Sequence, residues 1–216
     1  MKTILLLSLV MIAPVLAGTS AQQVAAPRAD SCIASWFAGA SGGYLTKLEE
    51  PMYNIHVGVT NTCWDVAGCK VSLFGEVGYA DKDWSNNHPL IIQNNPTTAY
   101  LNYDLAIVPV TFNFKLEHPI TGNLNSYFGA GLGMAWMNFD IHQQINNQPS
   151  SAADGDMVFA AQVFAGLNYH VTQDCELYGG GRWIHYANPS FSTSMGYVTL
   201  DLTDDCLLEF GVRYKL

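Results

Sequence analysis

The sequence predicts an all-β protein, an eight-stranded antiparallel up-and-down β-barrel that crosses a membrane with its strands. The first observation is a period of two in hydrophobicity through nearly all of the chain after residue 35, with turn residues between the runs. The second is that each run sets an apolar face against a face of glycine and charge. The third is a charged-residue content of 12%, half of the ~25% of ordinary globular domains.

The first residues of the chain have the features of an export signal. Lys2 gives the positive start, residues 4–16 are apolar, and small residues offer cleavage after Ala17 or Ala21. The apolar stretch is shorter than the roughly 20 residues that a membrane-spanning helix needs. We therefore expect a signal peptide over residues 1–21, a polar, alanine-rich lead-in over 22–35 and the barrel domain over 36–216.

Eight strands follow from the alternation. They are predicted at residues 36–47, 51–62, 69–83, 98–116, 124–141, 156–171, 175–187 and 205–216. Several exceed the usual strand length and suffice for the ~9–11 residues that cross a bilayer. The longer polar connections, residues 84–97, 141–155 and 188–204, fall on one end of the meander. An even number of strands then places both termini at the other end.

The fourth predicted strand shows the two faces most clearly. Val110, Phe112 and Phe114 alternate there with Thr111 and Asn113. Alternation alone does not say which face points outward, because a soluble lipocalin-like carrier would hold the apolar face inside. A membrane barrel has the reverse arrangement, with apolar residues toward lipid and polar residues in the lumen.

The composition of the polar face favours the membrane arrangement. That face is too poor in charge and too rich in glycine for a surface in water, but it suits a narrow interior. Aromatic residues also concentrate near strand ends, as membrane interfaces require. They are Trp36, Tyr44, Tyr53, Tyr79, Trp136, Tyr169, Trp183 and Tyr214.

The last strand, EFGVRYKL, has the form of the assembly signal of outer-membrane proteins. Its matching positions are Glu209, Gly211, Tyr214 and Leu216, with Leu216 standing where the signal more often has Phe. Together with VPVTFNFKLEH, YFGAGLGMAW and FAGLNYHVTQDCELYGGGRW, residues 36–216 resemble the small outer-membrane β-barrel family of OmpA/OmpX type.

The resemblance implies a location and partners. It implies a bacterial outer membrane of the Gram-negative type, extracellular loops, a periplasmic lead-in and periplasmic termini. It also implies a barrel too narrow for an open channel. The expected partners are outer-membrane lipid, lipopolysaccharide and the outer-membrane assembly machinery, and we expect a monomer. No periplasmic domain follows the barrel in this sequence, so anchoring to the cell wall is not implied.

The inward charges are predicted to pair with one another inside a closed lumen, because an enclosed unpaired charge is costly. The alternative is that they line a conduction path. A narrow channel for small hydrophobic solutes is a separate alternative for the function of the barrel. The charges are Lys70, Glu76, Lys115, Glu117, Glu176, Arg182, Glu209 and Arg213.

An enzymatic alternative rests on the stretch RWIHYANPS at residues 182–190. Lipid A deacylases are small outer-membrane barrels with a His-x-Ser-Asn stretch and a downstream Glu that form a Ser-His-Glu triad. Arg182, His185, Tyr186 and Asn188 are similar to that stretch. Ala187 occupies the place of the serine, and it has no oxygen to attack an ester. We therefore expect no enzyme, with the deacylase as the alternative.

Other site classes find little support. The net charge of −9 argues against nucleic acid as a partner. The six histidines show no metal-ligand spacing, and no cofactor is expected. Of five cysteines in an exported chain, Cys63 and Cys69 flank one turn and are the predicted disulfide.

The predicted function is a structural or surface-interaction role carried by the outward loops.

Overall fold

A computed structural model describes residues 34–66, 68–92, 95–145, 148–193, 196–199 and 204–216. The predicted signal peptide and most of the lead-in lie outside these residues. Eight long strands and a short hairpin make up the fold. The strands are β1 (Ala34–Leu45), β2 (Glu50–Val66), β3 (Cys69–Ile92), β4 (Asn95–Thr121), β5 (Leu124–Ile145), β6 (Gln148–His170), β7 (Cys175–Tyr186), β8 (Ser190–Thr193), β9 (Gly196–Thr199) and β10 (Asp204–Lys215).

The eight long strands close into a barrel in which every two adjacent strands are antiparallel. The order is β1-β10-β7-β6-β5-β4-β3-β2, and β8 pairs with β9 in a separate small sheet. Closure joins β1 to β10, from Phe37 opposite Lys215 to Leu45 opposite Leu207. The prediction of an all-β, eight-stranded antiparallel barrel is confirmed. No helix of membrane-spanning length and apolarity occurs among the described residues.

The barrel has two distinct ends. We call the end where β1 begins and β10 stops the terminal end, and the opposite end the hairpin end. At the hairpin end β3 and β4 stay paired out to Ile92 opposite Asn95. The β5–β6 pair likewise continues to Ile145 opposite Gln148. Since β2 leaves β3 near Ala80, the strands β3 to β6 continue as a four-stranded sheet beyond the barrel wall.

This extension corrects the prediction of irregular loops at residues 84–97 and 141–155. The polar composition of these segments suggested connections, but an antiparallel partner of equal length satisfies their backbone groups as a strand. The third predicted connection, 188–204, contains the β8–β9 hairpin, and its residues 194–195 and 200–203 lie outside the described part.

The outward face of the barrel is an apolar belt. Ile55, Phe112 and Leu208 are 65%, 63% and 64% exposed, and they lie on strands spread around the circumference. The eight aromatic residues predicted at strand ends all point outward and are exposed. Trp36, Tyr169 and Tyr214 lie at the terminal end.

The lumen differs between its two halves. In the terminal half, charged, polar and aromatic side chains fill the interior. The alternation predicted the charged and polar side chains there, but not the aromatic rings. In the hairpin half, buried apolar side chains form a cluster that we call the apolar plug. Its members are Leu45, Leu48, Met52, Ala80, Leu105, Ile107, Ala135, Met137, Phe139, Val158, Ala160, Ile184, Tyr186 and Leu207.

The plug corrects the prediction that every inward face carries only glycine and charge. Leu105 and Ile107 of β4 point inward, so that both faces of the strand are apolar in this region. The β1–β2 turn covers the plug with Leu48. Asp205 holds that turn, because its carboxylate accepts hydrogen bonds from the backbone N–H groups of Lys47 at 2.8 Å and Leu48 at 2.9 Å.

Inward glycines leave space for large side chains on neighbouring strands. Gly129 lies opposite Phe164 in the β5–β6 register, and a Cβ at Gly129 would collide with that ring. Gly211 is related in the same way to Tyr178. These glycines therefore let aromatic rings fill the lumen.

Candidate functional site

Arg182 is the centre of the first ion-pair cluster in the lumen. It projects inward from β7 and is 4% exposed. Its guanidinium donates to Glu209 of β10 at 2.8 Å and to Glu76 of β3. Its Nη1 also donates to the side-chain oxygen of Gln162 on β6 at 3.0 Å. Because β3 and β10 are not neighbours, this cluster connects opposite walls of the barrel.

Arg213 is the centre of a second cluster nearer the terminal end. Its Nη2 donates to Glu117 of β4 at 2.5 Å and forms an ion pair with Glu176 of β7. Lys115 lies 2.6 Å from Glu117 and shares that carboxylate. Each buried carboxylate of the two clusters therefore has at least one cationic partner, which is what enclosed charges require.

Aromatic rings fill the space between the two clusters. Phe37, Phe74, Tyr127 and Phe164 form a buried group, and Tyr178 packs against it. Arg182 lies 5.3 Å from the centroid of Phe164, and Arg213 lies 4.6 Å from that of Phe37, both within cation–π range. The cavity that remains here has a volume of about 20 Å³, little more than the space one water molecule occupies.

The structure places seven of the eight predicted lumen charges in these two clusters. The eighth, Lys70, points inward but is exposed at the terminal end, opposite Glu117 in the β3–β4 register. It lines an open cavity of about 160 Å³ at that mouth, together with His170 and Lys215.

His56 of β2 was not predicted as a lumen residue, although it is 9% exposed and packs against Phe37, Phe74 and Tyr178. The sequence carried a signal for it, since His56 shares its strand face with Asn54 and Gly58.

The four residues of the predicted assembly signal divide between the two faces of β10. Glu209 and Gly211 point into the lumen, whereas Tyr214 and Leu216 point outward and are 54% and 73% exposed. The N–H of Leu216 donates to the carbonyl of Trp36 at 2.8 Å, so the last residue takes part in barrel closure. Recognition by the assembly machinery stays a prediction.

The predicted disulfide also stays a prediction. Cys69 lies at the start of β3, with its Sγ 3.7 Å from Nδ1 of His118. The side chain of Cys63 lies outside the described part of the chain.

The deacylase-like stretch is divided between the lumen and the outer surface. Arg182 belongs to the lumen cluster, and Tyr186 is buried in the apolar plug. His185 points outward, and its Nδ1 lies 2.9 Å from Oδ1 of Asp204 on the neighbouring strand β10. Trp183 stacks on the imidazole, with centroids 5.8 Å apart. The stretch therefore presents a His–Asp pair outward, with Ala187 in the place of a nucleophile.

Metal binding finds no support among the residues described, where no group of three or more His, Cys, Asp or Glu side chains is arranged to hold an ion.

Comparison with known proteins gives matches among solved structures. No protein-family model matches the chain, and no curated protein matches it significantly. A major outer membrane protein from Thermus thermophilus matches with a TM-score of 0.50 and 10% identity, covering 85% of this chain and all (100%) of that one. Neisserial surface protein A matches with a TM-score of 0.41 and 15% identity, covering 87% and 100%. The outer membrane enzyme PagL matches with a TM-score of 0.40 and 14% identity, covering 83% and 98%.

At these identities the matches concern the fold and leave activity open. The match to the Thermus outer membrane protein spans all of that chain and most of this one. The described residues close into eight antiparallel strands with an apolar outer face. The chain thus has the fold of the small eight-stranded outer-membrane β-barrel proteins.

Proposed function

We propose that this protein is an integral outer-membrane barrel with a structural or surface-interaction role, a closed lumen and no enzymatic activity. One observation carries the proposal: the distribution of polarity is inverted relative to a soluble protein. Three cations and four carboxylates are buried in the two lumen clusters, while large apolar side chains around the circumference are 36% to 73% exposed.

Exposure of this apolar belt to water would be energetically unfavourable. Soluble monomers rarely expose a continuous apolar patch larger than a few hundred Å², and apolar surface in water costs about 25 cal/mol per Å². Lipid removes that cost, and the closed sheet leaves no unpaired edge within the barrel wall. The aromatic residues at the strand ends suit the two membrane interfaces.

The two barriers in the lumen argue against a channel. Ion pairs that connect opposite walls fill the terminal half, and the apolar plug fills the hairpin half. An ion would have to break the first and dehydrate in the second. A small hydrophobic solute would have to displace the packed side chains of both halves, which favours the closed barrel over a channel for such solutes.

The hairpin end is the proposed extracellular end, and the terminal end is the proposed periplasmic end. The extended hairpins β3–β4 and β5–β6 and the β8–β9 hairpin would then carry any binding surface, because surface segments on a rigid scaffold commonly do so. The expected partners are outer-membrane lipid and lipopolysaccharide and, during insertion, the assembly machinery, with the barrel as a monomer.

Fractionation, gel mobility and conductance together test the proposal. We expect the protein in the outer-membrane fraction, with faster migration on gels when unboiled than when boiled, because an intact barrel resists detergent unfolding. We also expect planar bilayers containing the protein to show no large steady conductance. Recovery in the soluble fraction with one mobility would refute the membrane barrel, and a steady ohmic current would refute the closed lumen.

A lipid hydrolase is the second candidate, favoured by the His185–Asp204 pair at 2.9 Å. A carboxylate that orients a histidine is typical of acyl-transfer sites. Ala187 argues against it, because the serine that would form the acyl-enzyme is missing. Release of fatty acid from lipid A by the purified protein, lost in His185→Ala, would establish the hydrolase; no release, with correct folding, would exclude it.

A further inference from the structure

The lumen opens at the terminal end into the cavity of about 160 Å³, which we call the terminal mouth. Residues of seven of the eight barrel strands line it, so it lies inside the ring of strands and not on the apolar outer face. One water molecule needs about 10–15 Å³ on this measure. The terminal mouth therefore has room for roughly ten water molecules or for a small solute.

Two lysines of the terminal mouth lack a counter-ion. Four cations of the described residues form ion pairs, namely Lys82, Lys115, Arg182 and Arg213. Lys70 and Lys215 form no ion pair with any residue that the structure describes, and both line the terminal mouth. Lys70 lies on β3 and Lys215 on β10, with β1 and β2 between them in the barrel wall. The terminal mouth thus presents two exposed ammonium groups from different walls.

The carboxylates at the floor of the terminal mouth already have partners. Glu117 is paired with Arg213 and Lys115. Glu176 is paired with Arg213 and lies 3.5 Å from the imidazole of His170. Two cations and two carboxylates balance one another there, so this floor does not neutralise the two lysines.

The rim keeps an excess of positive charge. Asp174 is the one further carboxylate among the described residues that line the terminal mouth, against the two lysines. At the floor, Arg213 is 6% exposed, and its Nη1 has no hydrogen-bond partner within the described part of the chain. A buried guanidinium N–H without an acceptor is rare in native proteins and indicates that an acceptor from solution belongs beside it.

We propose that the terminal mouth binds the phosphate group of a small soluble phosphate monoester. Such a group carries about −1.5 to −2 charges at pH 7 and has three acceptor oxygens, so it accepts from Lys70 and Lys215 at the same time. A lysine ammonium is a common ligand of phosphate. The assignment of this site to the periplasmic side rests on the proposed orientation of the barrel, whereas binding to the purified protein does not.

The opposite end of the barrel would repel the same ligand. Its described residues carry ten carboxylates and only two lysines, Lys47 and Lys82. The carboxylates are Glu49, Glu50, Asp81, Asp83, Asp104, Asp140, Asp154, Asp156, Asp204 and Asp205. An anion is therefore directed to the terminal mouth and away from the hairpin end.

Isothermal titration calorimetry of the purified full chain in detergent micelles tests this site. The probes are methyl phosphate, a monoester, and dimethyl phosphate, a diester with a single negative charge. Both are titrated at the same ionic strength, because salt screens exposed lysines. We expect saturable binding of one methyl phosphate, and an affinity for dimethyl phosphate about tenfold lower, the usual effect of one lost hydrogen bond between charged groups.

Three lysine variants show where the phosphate binds. Lys70→Met and Lys215→Met should each weaken the binding of methyl phosphate about tenfold, because each removes one ammonium donor. Lys47→Met is the matched control, since it removes the same charge from an exposed lysine at the hairpin end. Roughly 30 Å of strand separates the two ends, well beyond the ~8 Å Debye length at physiological salt, so Lys47→Met should change the affinity less than about twofold.

The mobility shift between unboiled and boiled samples verifies folding for every variant. Three results would overturn the proposed site while the membrane barrel stands: no saturable binding, equal affinities for the two probes, or unchanged affinity in folded Lys70→Met and Lys215→Met. Loss of the mobility shift in the unmodified protein would instead refute the membrane barrel itself.

Discussion

Removing the charge of Arg182 is the most direct test of the lumen. Arg182→Met keeps a side chain of similar length but leaves Glu76 and Glu209 enclosed without their cation. Breaking a buried pair in this way costs about 3–5 kcal/mol. At 1.36 kcal/mol per decade, the unfolding equilibrium should shift roughly 10²- to 10⁴-fold.

A triple variant tests whether the lost stability comes from the two unpaired carboxylates. In the triple variant Arg182→Met, Glu76→Gln and Glu209→Gln, no buried charge is left unpaired at this cluster. Neutral groups of the same shape are often tolerated where a broken pair is not. The triple variant should therefore recover most of the stability that the single variant loses.

Urea unfolding in lipid vesicles, followed by tryptophan fluorescence, measures both effects. Lys82→Met is the control, because the Lys82–Glu50 pair at 3.0 Å lies nearer the surface, and such pairs contribute only about 0–1 kcal/mol. A loss below ~1 kcal/mol in Arg182→Met would mean that water reaches the cluster. A triple variant no more stable than the single one would show that the unpaired carboxylates are not the cause of the lost stability.

Three substitutions test other parts of the barrel by the same unfolding measurement. Met137→Ala, in the apolar plug, should cost about 2–5 kcal/mol, and a cost below ~1 kcal/mol would imply a loosely packed plug. Gly129→Ala should lower the free energy of unfolding by about 1–3 kcal/mol, because the new methyl meets the ring of Phe164. Gly75→Ala is the control, because the space around Gly75 is open, and it should change the free energy of unfolding by less than about 0.5 kcal/mol. Equal effects of the two substitutions would show that Gly129 is not crowded. Asp205→Ala should cost about 1–3 kcal/mol by leaving turn N–H groups unsatisfied, with faster amide exchange in residues 46–49, and unchanged exchange would count against that role.

The barrel was predictable from the sequence because alternation is a local property of each strand. Phe112 and Phe114 against Thr111 and Asn113 give the two faces of β4 without knowledge of its neighbours. The polar face has too few charged residues for a surface in water, which indicates that the apolar face meets lipid. The lumen charges follow from the same parity, which is why seven of the eight lie in the ion-pair clusters.

The hairpin half was less predictable because its signals depend on partners. Residues 84–92 look like a connection in isolation, and they form a strand because residues 95–103 pair with them. The plug is hidden for a related reason. Where Leu105 and Ile107 point inward, both faces of β4 are apolar, and a period of two no longer distinguishes lumen from lipid.

The His185–Asp204 pair shows a third kind of limit. The sequence singles out His185 within the deacylase-like stretch, but the carboxylate that its imidazole contacts lies 19 residues along the chain. Only the register of β7 against β10 brings the two together. Sequence spacing could therefore raise the question of a histidine site without identifying its carboxylate.

The lumen charges also bear on how the barrel reaches one closed structure. The apolar plug already fills the hairpin half, so the ion pairs are not needed to prevent an open pore. Arg182 on β7 meets Glu76 on β3, and Arg213 on β10 meets Glu117 on β4. Both pairs connect strands that are not neighbours, and a barrel with another strand number or a slipped register would enclose these charges unpaired. Alternation specifies a sheet with two faces, whereas these cross-lumen pairs specify which closure of that sheet is stable.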